Sequence, residues 1–307
     1  MRYGSRRRTT TYALALAAAL LLAGTAAGQG TTRMHSETIH DGHRSSVHTT
    51  GEVRFTDDDR DVAYVEPGAR MVIEEEAPGQ PERRVEYRGT SGGVRRGFFR
   101  DGREAAPDGA DEAWIRRALL AAIRESGVNA AERAVRIYRR GGAAAVLDEI
   151  RQIGSDGVKS RYYATLLRQP LRPAETARVL RDAGDRIGSD GDKQRTLAVL
   201  LERRSISAGE MEAMLDAAGR IGSDGDKARL LIQALARGDV GRETVLDAVR
   251  TARGIGSDGD KARVLGAVPA RYLRDRAVVG EYRATLRTIG SDGDRSRAAS
   301  RLAGDFR

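Results

Sequence analysis

The chain has no cysteine, so disulfides, a lipidated cysteine and a thiol nucleophile are all excluded. Aromatic residues make up only 5% of its 307 positions, which argues against a large conventional core and fits helices packed from alanine and leucine. Histidine is restricted to His35, His40, His43 and His48, so the C-terminal part contains no imidazole for acid–base work. There is no glycine-rich phosphate loop after a strand, and the recurring IGSDG has neither the lysine nor the spacing of a Walker motif. Catalysis therefore finds little footing, and no cofactor is expected.

What is present is periodicity. IGSDG starts at Ile153, Ile187, Ile221, Ile255 and Ile289, always 34 residues apart. A fixed period of this length marks a repeat array. Amphipathic runs precede each copy, such as Met211, Met214, Leu215 and Ala218, spaced for one helix face. The motif glycine (Gly154, Gly188, Gly222, Gly256, Gly290) suits a left-handed helix end. The next serine suits the N-cap of a second helix, with an aspartate three places on: Ser189 with Asp192, Ser223 with Asp226, Ser257 with Asp260 and Ser291 with Asp294. That pattern is a short-chain capping box, in which aspartate should replace serine at little cost. The first copy departs, with Val158 in the aspartate position. Downstream, Leu197 and Leu200, Leu231 and Ala234, and Leu265 and Val268 form an apolar stripe in register. Each unit is thus two helices and a joint. Neither helix can bury its face alone, so units must stack, which gives an α-solenoid. The period places four full repeats and a terminal half repeat in residues 153–307, the last helix acting as a cap.

Residues 1–27 have the form of an export signal. Arg2, Arg6, Arg7 and Arg8 form a basic start, residues 13–24 an apolar stretch, and Thr25, Ala26 and Ala27 a small-residue cleavage site. The apolar stretch is short for a transmembrane helix, and membrane attachment is expected only if the signal stays uncleaved. Removing it takes four of the 53 basic residues, leaving 49 against 44 acidic, or +5 rather than +9. Export and this interspersed acidic charge argue against nucleic acid as a partner. The expected location is periplasmic or extracellular.

After a flexible lead-in (28–35), residues 36–106 change character. Alternating runs at 62–66, 71–75, 83–87 and 94–99 are separated by Pro67-Gly68, Pro78-Gly79 and Ser91-Gly92-Gly93. They indicate an antiparallel β-meander of roughly five to seven strands. Helices at about 112–125, 130–139 and 143–152 follow, and residues 107–152 are expected to cap the solenoid. The fold class is therefore α+β.

The FTDDDRDVA run (55–63), the arginine-rich strands, the RRGG turn (139–142) and the I-x-S-D-x-x-K motif together resemble a bacterial extracytoplasmic repeat region. That region is associated with membrane metallopeptidases of the β-lactam-sensor type. Similar regions also stand alone as secreted proteins. The resemblance covers most of the mature chain and implies an envelope location, but no activity. The peptidase is absent, because the sequence has no His-Glu-x-x-His.

Two metal readings fall short on spacing. His35, His40, His43 and His48 are five, three and five residues apart, which fits no standard zinc site; they read as a solvated strand entry and are at most weak ligand candidates. Ser-Asp-Gly-Asp is followed at once by a basic residue and lacks the closing glutamate of a calcium loop. The basic positions of the motif are more informative: Lys159/Arg161, Lys193/Arg195, Lys227/Arg229, Lys261/Arg263 and Arg295/Arg297. Cations in a first helical turn oppose the helix dipole, so their recurrence calls for a compensating contact. Either they balance neighbouring aspartates, or they line a stripe for an acidic partner. The expected function is non-enzymatic: interaction with a protein partner in the cell envelope, as scaffold or sensor. The rival is an exported enzyme or peptidase accessory with a site in the β region. The signal predicts a mature chain starting near Gly28, which the intact mass of secreted protein checks; a full-length cytoplasmic species would refute it.

Overall fold

The computed structural model describes residues 33–40 and 42–304. The export-signal segment and most of the lead-in lie outside the described residues. The protein is α+β. Its strands are β1 (Arg33–His40), β2 (His43–Thr50), β3 (Val53–Phe55), β4 (Val62–Val65), β5 (Arg70–Glu76), β6 (Arg83–Thr90), β7 (Gly93–Arg100) and β8 (Arg103–Glu104). Six of them form one antiparallel sheet in the order β1-β2-β5-β6-β7-β8, and β3 pairs only with β4. The lead-in thus ends earlier than its expected boundary, since residues 33–35 already belong to β1.

The expected meander holds for the sheet but is interrupted by the β3–β4 ribbon. The ribbon carries a register shift between Arg54 and Phe55 and closes on a tight turn. In that turn Thr56 Oγ1 accepts the amides of Arg60 and Asp61 at 3.2 and 3.1 Å. Val53, Phe55, Val62 and Val65 are buried, and β4 packs on β6 and β7. They face Met71, Ile73, Val85, Tyr87 and Phe98, the buried alternate positions of the sheet.

The helices are α1 (Gly109–Ser126), α2 (Ala130–Ile150), α3 (Asp156–Leu167), α4 (Pro173–Arg186), α5 (Asp190–Ala198), α6 (Ala208–Gly219), α7 (Asp224–Leu235), α8 (Arg242–Ala252), α9 (Asp258–Gly266), α10 (Arg276–Leu286) and α11 (Asp292–Gly304). The chain forms two compact units, Met1–Ala122 and Ile123–Arg307, rather than dividing near residue 106. The first turns of α1 belong with the sheet because Trp114 stacks on Phe98 at 6.0 Å and donates from Nε1 to Glu75 at 3.0 Å. Helix α2 breaks at Gly142, whose φ of 66° and ψ of −163° are open to glycine but strained for other residues. It therefore supplies the two helices expected from the sequence.

In the second unit α3 packs on α5, α5 on α7, α7 on α9 and α9 on α11, while α4, α6, α8 and α10 pack in their own succession. One continuous cluster of aliphatic and tyrosine side chains runs from Ala130 to Ala298. The motif isoleucines Ile153, Ile187, Ile221, Ile255 and Ile289 are each at most 3% exposed and seal the joints.

The joints differ from expectation in three ways. None of the motif glycines has a positive φ, so they are not left-handed helix ends. Their role is steric. A Cβ on Gly188, Gly222 or Gly256 would lie 2.9–3.0 Å from Oδ2 of Asp156, Asp190 or Asp224 in the preceding repeat. Second, those aspartates clasp the next joint. Asp190 accepts from Gly222 N at 2.9 Å and Ser223 N at 2.7 Å, and Asp156, Asp224 and Asp258 hold Gly188/Ser189, Gly256/Ser257 and Gly290/Ser291 in the same way. At the first joint Glu125 stands in, accepting from Gly154 N at 3.3 Å. Third, the capping box is half made. Ser189, Ser223, Ser257 and Ser291 do accept the amide three residues on, at 3.3–3.4 Å. The return arm is absent because Asp192, Asp226, Asp260 and Asp294 turn to an arginine instead. Aspartate is thus a poorer substitute for Ser223 than the cap alone suggests, since Ser223 N is already bound to the Asp190 carboxylate.

Asp190→Ala should cost about 2–3 kcal/mol, because two amide donors lose a charged acceptor. Gly222→Ala should destabilise by about 1–2 kcal/mol in the intact chain but much less in the Asp190→Ala background. Urea melts of the four-member cycle check this; equal cost of Gly222→Ala in both backgrounds would disprove the close-approach argument.

Candidate functional site

The basic positions of the motif separate into two populations. Lys193, Lys227 and Lys261 are buried, at 6–7% exposure, and Lys159 is half-buried. Lys193 Nζ donates to Arg220 O at 3.0 Å and Lys261 Nζ to Thr288 O at 2.9 Å. These carbonyls lie at the C-terminal ends of α6 and α10, where the helix dipole is negative. Two of the lysines also pair with the clasping aspartate of their own helix: Lys159 bonds Asp156 at 3.0 Å, and Lys261 lies 3.7 Å from Asp258. For Lys193 and Lys261 the compensating contact demanded by a cation in a first turn is therefore a helix C-terminus in the next repeat. Backbone hydrogen bonds from Gly256 and Ser257, reinforced by the charges of Lys227 and Lys261, hold the Asp224 carboxyl below the usual aspartate range. Asp258 is lowered in the same way by Ser291 and Gly290. Burial withdraws Lys193, Lys227 and Lys261 from contact with a partner.

The arginines do reach solvent. Arg195, Arg229, Arg263 and Arg297 have side chains 59–71% exposed, and each pairs with the aspartate three residues earlier. Arg195–Asp192 is 2.7 Å, Arg229–Asp226 2.6 Å and Arg297–Asp294 2.9 Å, with Arg263–Asp260 in the same arrangement. Arg161, whose repeat carries Val158 instead of an aspartate, donates to Gly127 O at 3.4 Å. In the last copy Arg295 replaces lysine and folds back on the carbonyls of its own joint, Ile289 and Gly290.

A second periodic arginine escaped the sequence reading. Arg203, Arg237 and Arg271 are also 34 residues apart. Each donates to carbonyls of the preceding repeat: Arg203 to Leu167, Arg237 to Leu201 and Arg203, and Arg271 to Gly238 and Val240. Aligning the chain on its own period would have revealed them. The buried Arg133 likewise had no sequence signal. It bonds Glu149 at 2.8 Å and the Tyr162 hydroxyl at 2.7 Å, with Arg124 completing the Glu149 carboxylate. Burial opposes the Arg133 charge, but these partners hold it.

The histidines separate into two pairs by register: His35 opposite His48, and His40 opposite His43. The His35 and His48 rings are 6.1 Å apart. His43, an odd number of residues from His48, falls on the other sheet face. Among the described residues no three metal-ligating side chains converge. Burial lowers the His48 pKa, and the Arg70 charge adds to this.

The sheet unit also holds a cavity of about 570 Å³ lined by Arg60, Asp61, Arg96, Glu112 and Arg116. Arg96 forks onto Glu112 at 3.2 and 2.5 Å. The nearby Tyr87 hydroxyl is buried without a well-aligned hydrogen bond. Burial pushes it far above the usual tyrosine range, and the Asp61 charge adds to that. The cavity lining offers guanidinium and carboxylate groups, with no serine, histidine or lysine among them.

Comparison with protein-family models, curated proteins and solved structures returned no match. Among the described residues no helix is long and apolar enough to cross a membrane.

Changing Lys193 and Lys261 together to Gln should lower stability by about 1 kcal/mol per site, because each change removes a charged bond across a repeat boundary. Urea denaturation checks this, and an unchanged midpoint would show that the lysines do not join repeats.

Proposed function

We propose that the chain is a non-enzymatic interaction protein of the bacterial cell envelope. In this reading α3 to α11 form an α-solenoid of 34-residue repeats that presents its arginine column to an acidic segment of a protein partner. The observation that carries it is a division of labour within the motif. Isoleucine fills the joint, glycine makes room, serine caps, the first aspartate clasps and lysine bonds the next helix end. Stacking uses all five. It does not use Arg195, Arg229, Arg263 and Arg297, which recur at the same exposed position.

An exposed pair of this kind contributes only about 0.2–1 kcal/mol to stability, a weak reason for four repetitions. Packed helices stand about 8–10 Å apart, so the column offers guanidinium groups at regular steps. Each aspartate is far less exposed than its arginine. It fixes the guanidinium while leaving outward donors for a carboxylate.

Arg195→Gln, Arg229→Gln and Arg263→Gln combined should change the melting temperature little. The same variant should weaken capture of an envelope partner at least about tenfold and flatten its salt dependence. Pull-down from envelope fractions followed by affinity measurement at low and moderate salt tests this. Undiminished binding by the triple variant would defeat the proposal.

A further inference from the structure

Strand register brings four arginines into a single row on the sheet. Arg33 stands opposite Thr50, Thr50 opposite Arg70, Arg70 opposite Arg88, and Arg88 opposite Arg95. All four arginines are exposed. Neighbouring strands lie about 4.8 Å apart, so the row crosses five strands over about 19 Å. The opposite sheet face is taken up by the core residues Met71, Ile73, Val85, Tyr87 and Phe98.

Like charges directly opposite one another on adjacent strands destabilise a sheet. Among the described residues a single carboxylate, that of Glu86, is ion-paired with this row. Glu86 is 3% exposed, lies 2.8 Å from Arg88 Nε and 3.9 Å from Arg70 Nη1, and sits beneath the guanidinium groups. Arg33 and Arg95 make no ion pair among the described residues. The strip therefore keeps a surplus of three positive charges, apart from the arginine column of the helices and in the other compact unit.

We propose that this face binds a linear chain of linked phosphate groups. Guanidinium forks match phosphate oxygens in pairs, and four in line fit an extended polyanion better than a single small anion. In an extended acidic peptide, carboxylates on one side recur about every 6.8 Å, out of step with the row. Linked phosphates carry charge at closer intervals and supply one to every arginine. Val72 neighbours Arg70 on this face, and the carboxylates of Glu37, Glu74 and Glu104 share a register row with Arg84 and Phe99, two rows away from the arginines.

The test is binding of inorganic polyphosphate to the full chain at about 50 and about 200 mM salt, where counterion release makes affinity fall steeply. Arg33→Gln with Arg95→Gln should weaken binding at least about tenfold and reduce the salt dependence by roughly two phosphate contacts. Glu86→Gln removes the ion-paired counter-charge and should tighten binding. Arg195→Gln with Arg229→Gln should leave it unchanged, which separates this surface from the helical column. The proposal is overturned if the Arg33/Arg95 variant binds like the parent, or if Glu86→Gln weakens binding while the fold persists. Equal affinity for polyglutamate, or for vesicles of anionic phospholipid, also overturns it in favour of a peptide or a membrane.

Discussion

The helical part of this protein depends on a carboxylate that reaches across a repeat boundary to take two backbone amides. A joint between helices leaves amide donors at the start of the next helix without partners. Here Asp156, Asp190, Asp224 and Asp258 supply acceptors from the preceding repeat. The aspartate itself occupies the first turn of its own helix, where the dipole favours negative charge. One side chain thereby stabilises two elements and sets the distance between them. The requirement for glycine follows directly, because the carboxylate approaches to where a Cβ would sit.

Lysine completes the grip from the other side. On α5, Asp190 binds the amides of Gly222 and Ser223, while Lys193 binds the carbonyl of Arg220. Opposite charges one turn apart thus hold opposite poles of a single joint. Burying an ammonium is costly unless it is paired and hydrogen-bonded, and Lys261 meets both conditions through Thr288 and Asp258. Further along each unit Arg203, Arg237 and Arg271 hold the loop carbonyls of the preceding repeat. Each boundary is thus tied at both ends of the helix pair, with the aliphatic core between.

This arrangement separates the charges consumed by stacking from those left at the surface. Surfaces consumed by stacking are fixed by polar contacts with little freedom to vary. The exposed arginines of the helices are held by neighbouring aspartates without being enclosed by them. The β unit shows the same separation across its two faces: alternate residues of each strand build the core under β3, β4 and α1, while the others carry the arginine row.

The sequence by itself determined the 34-residue period, the two helices per unit, the serine caps and the α+β division, because these rest on local spacing and capping chemistry. Most of the sheet strands were also legible from alternation bounded by turn residues. Its limits were non-local. Glycine was assigned to a left-handed helix end because a chain read along its length shows no carboxylate 32 residues back. The lysines were expected to balance aspartates or to line a stripe, because their carbonyl partners belong to the following repeat. The arginine row of the sheet is invisible in one dimension, since Arg33, Arg70, Arg88 and Arg95 become neighbours only through strand register. Which charges are buried and which meet solvent was decided by tertiary structure, because burial depends on what packs across a boundary that local sequence does not encode.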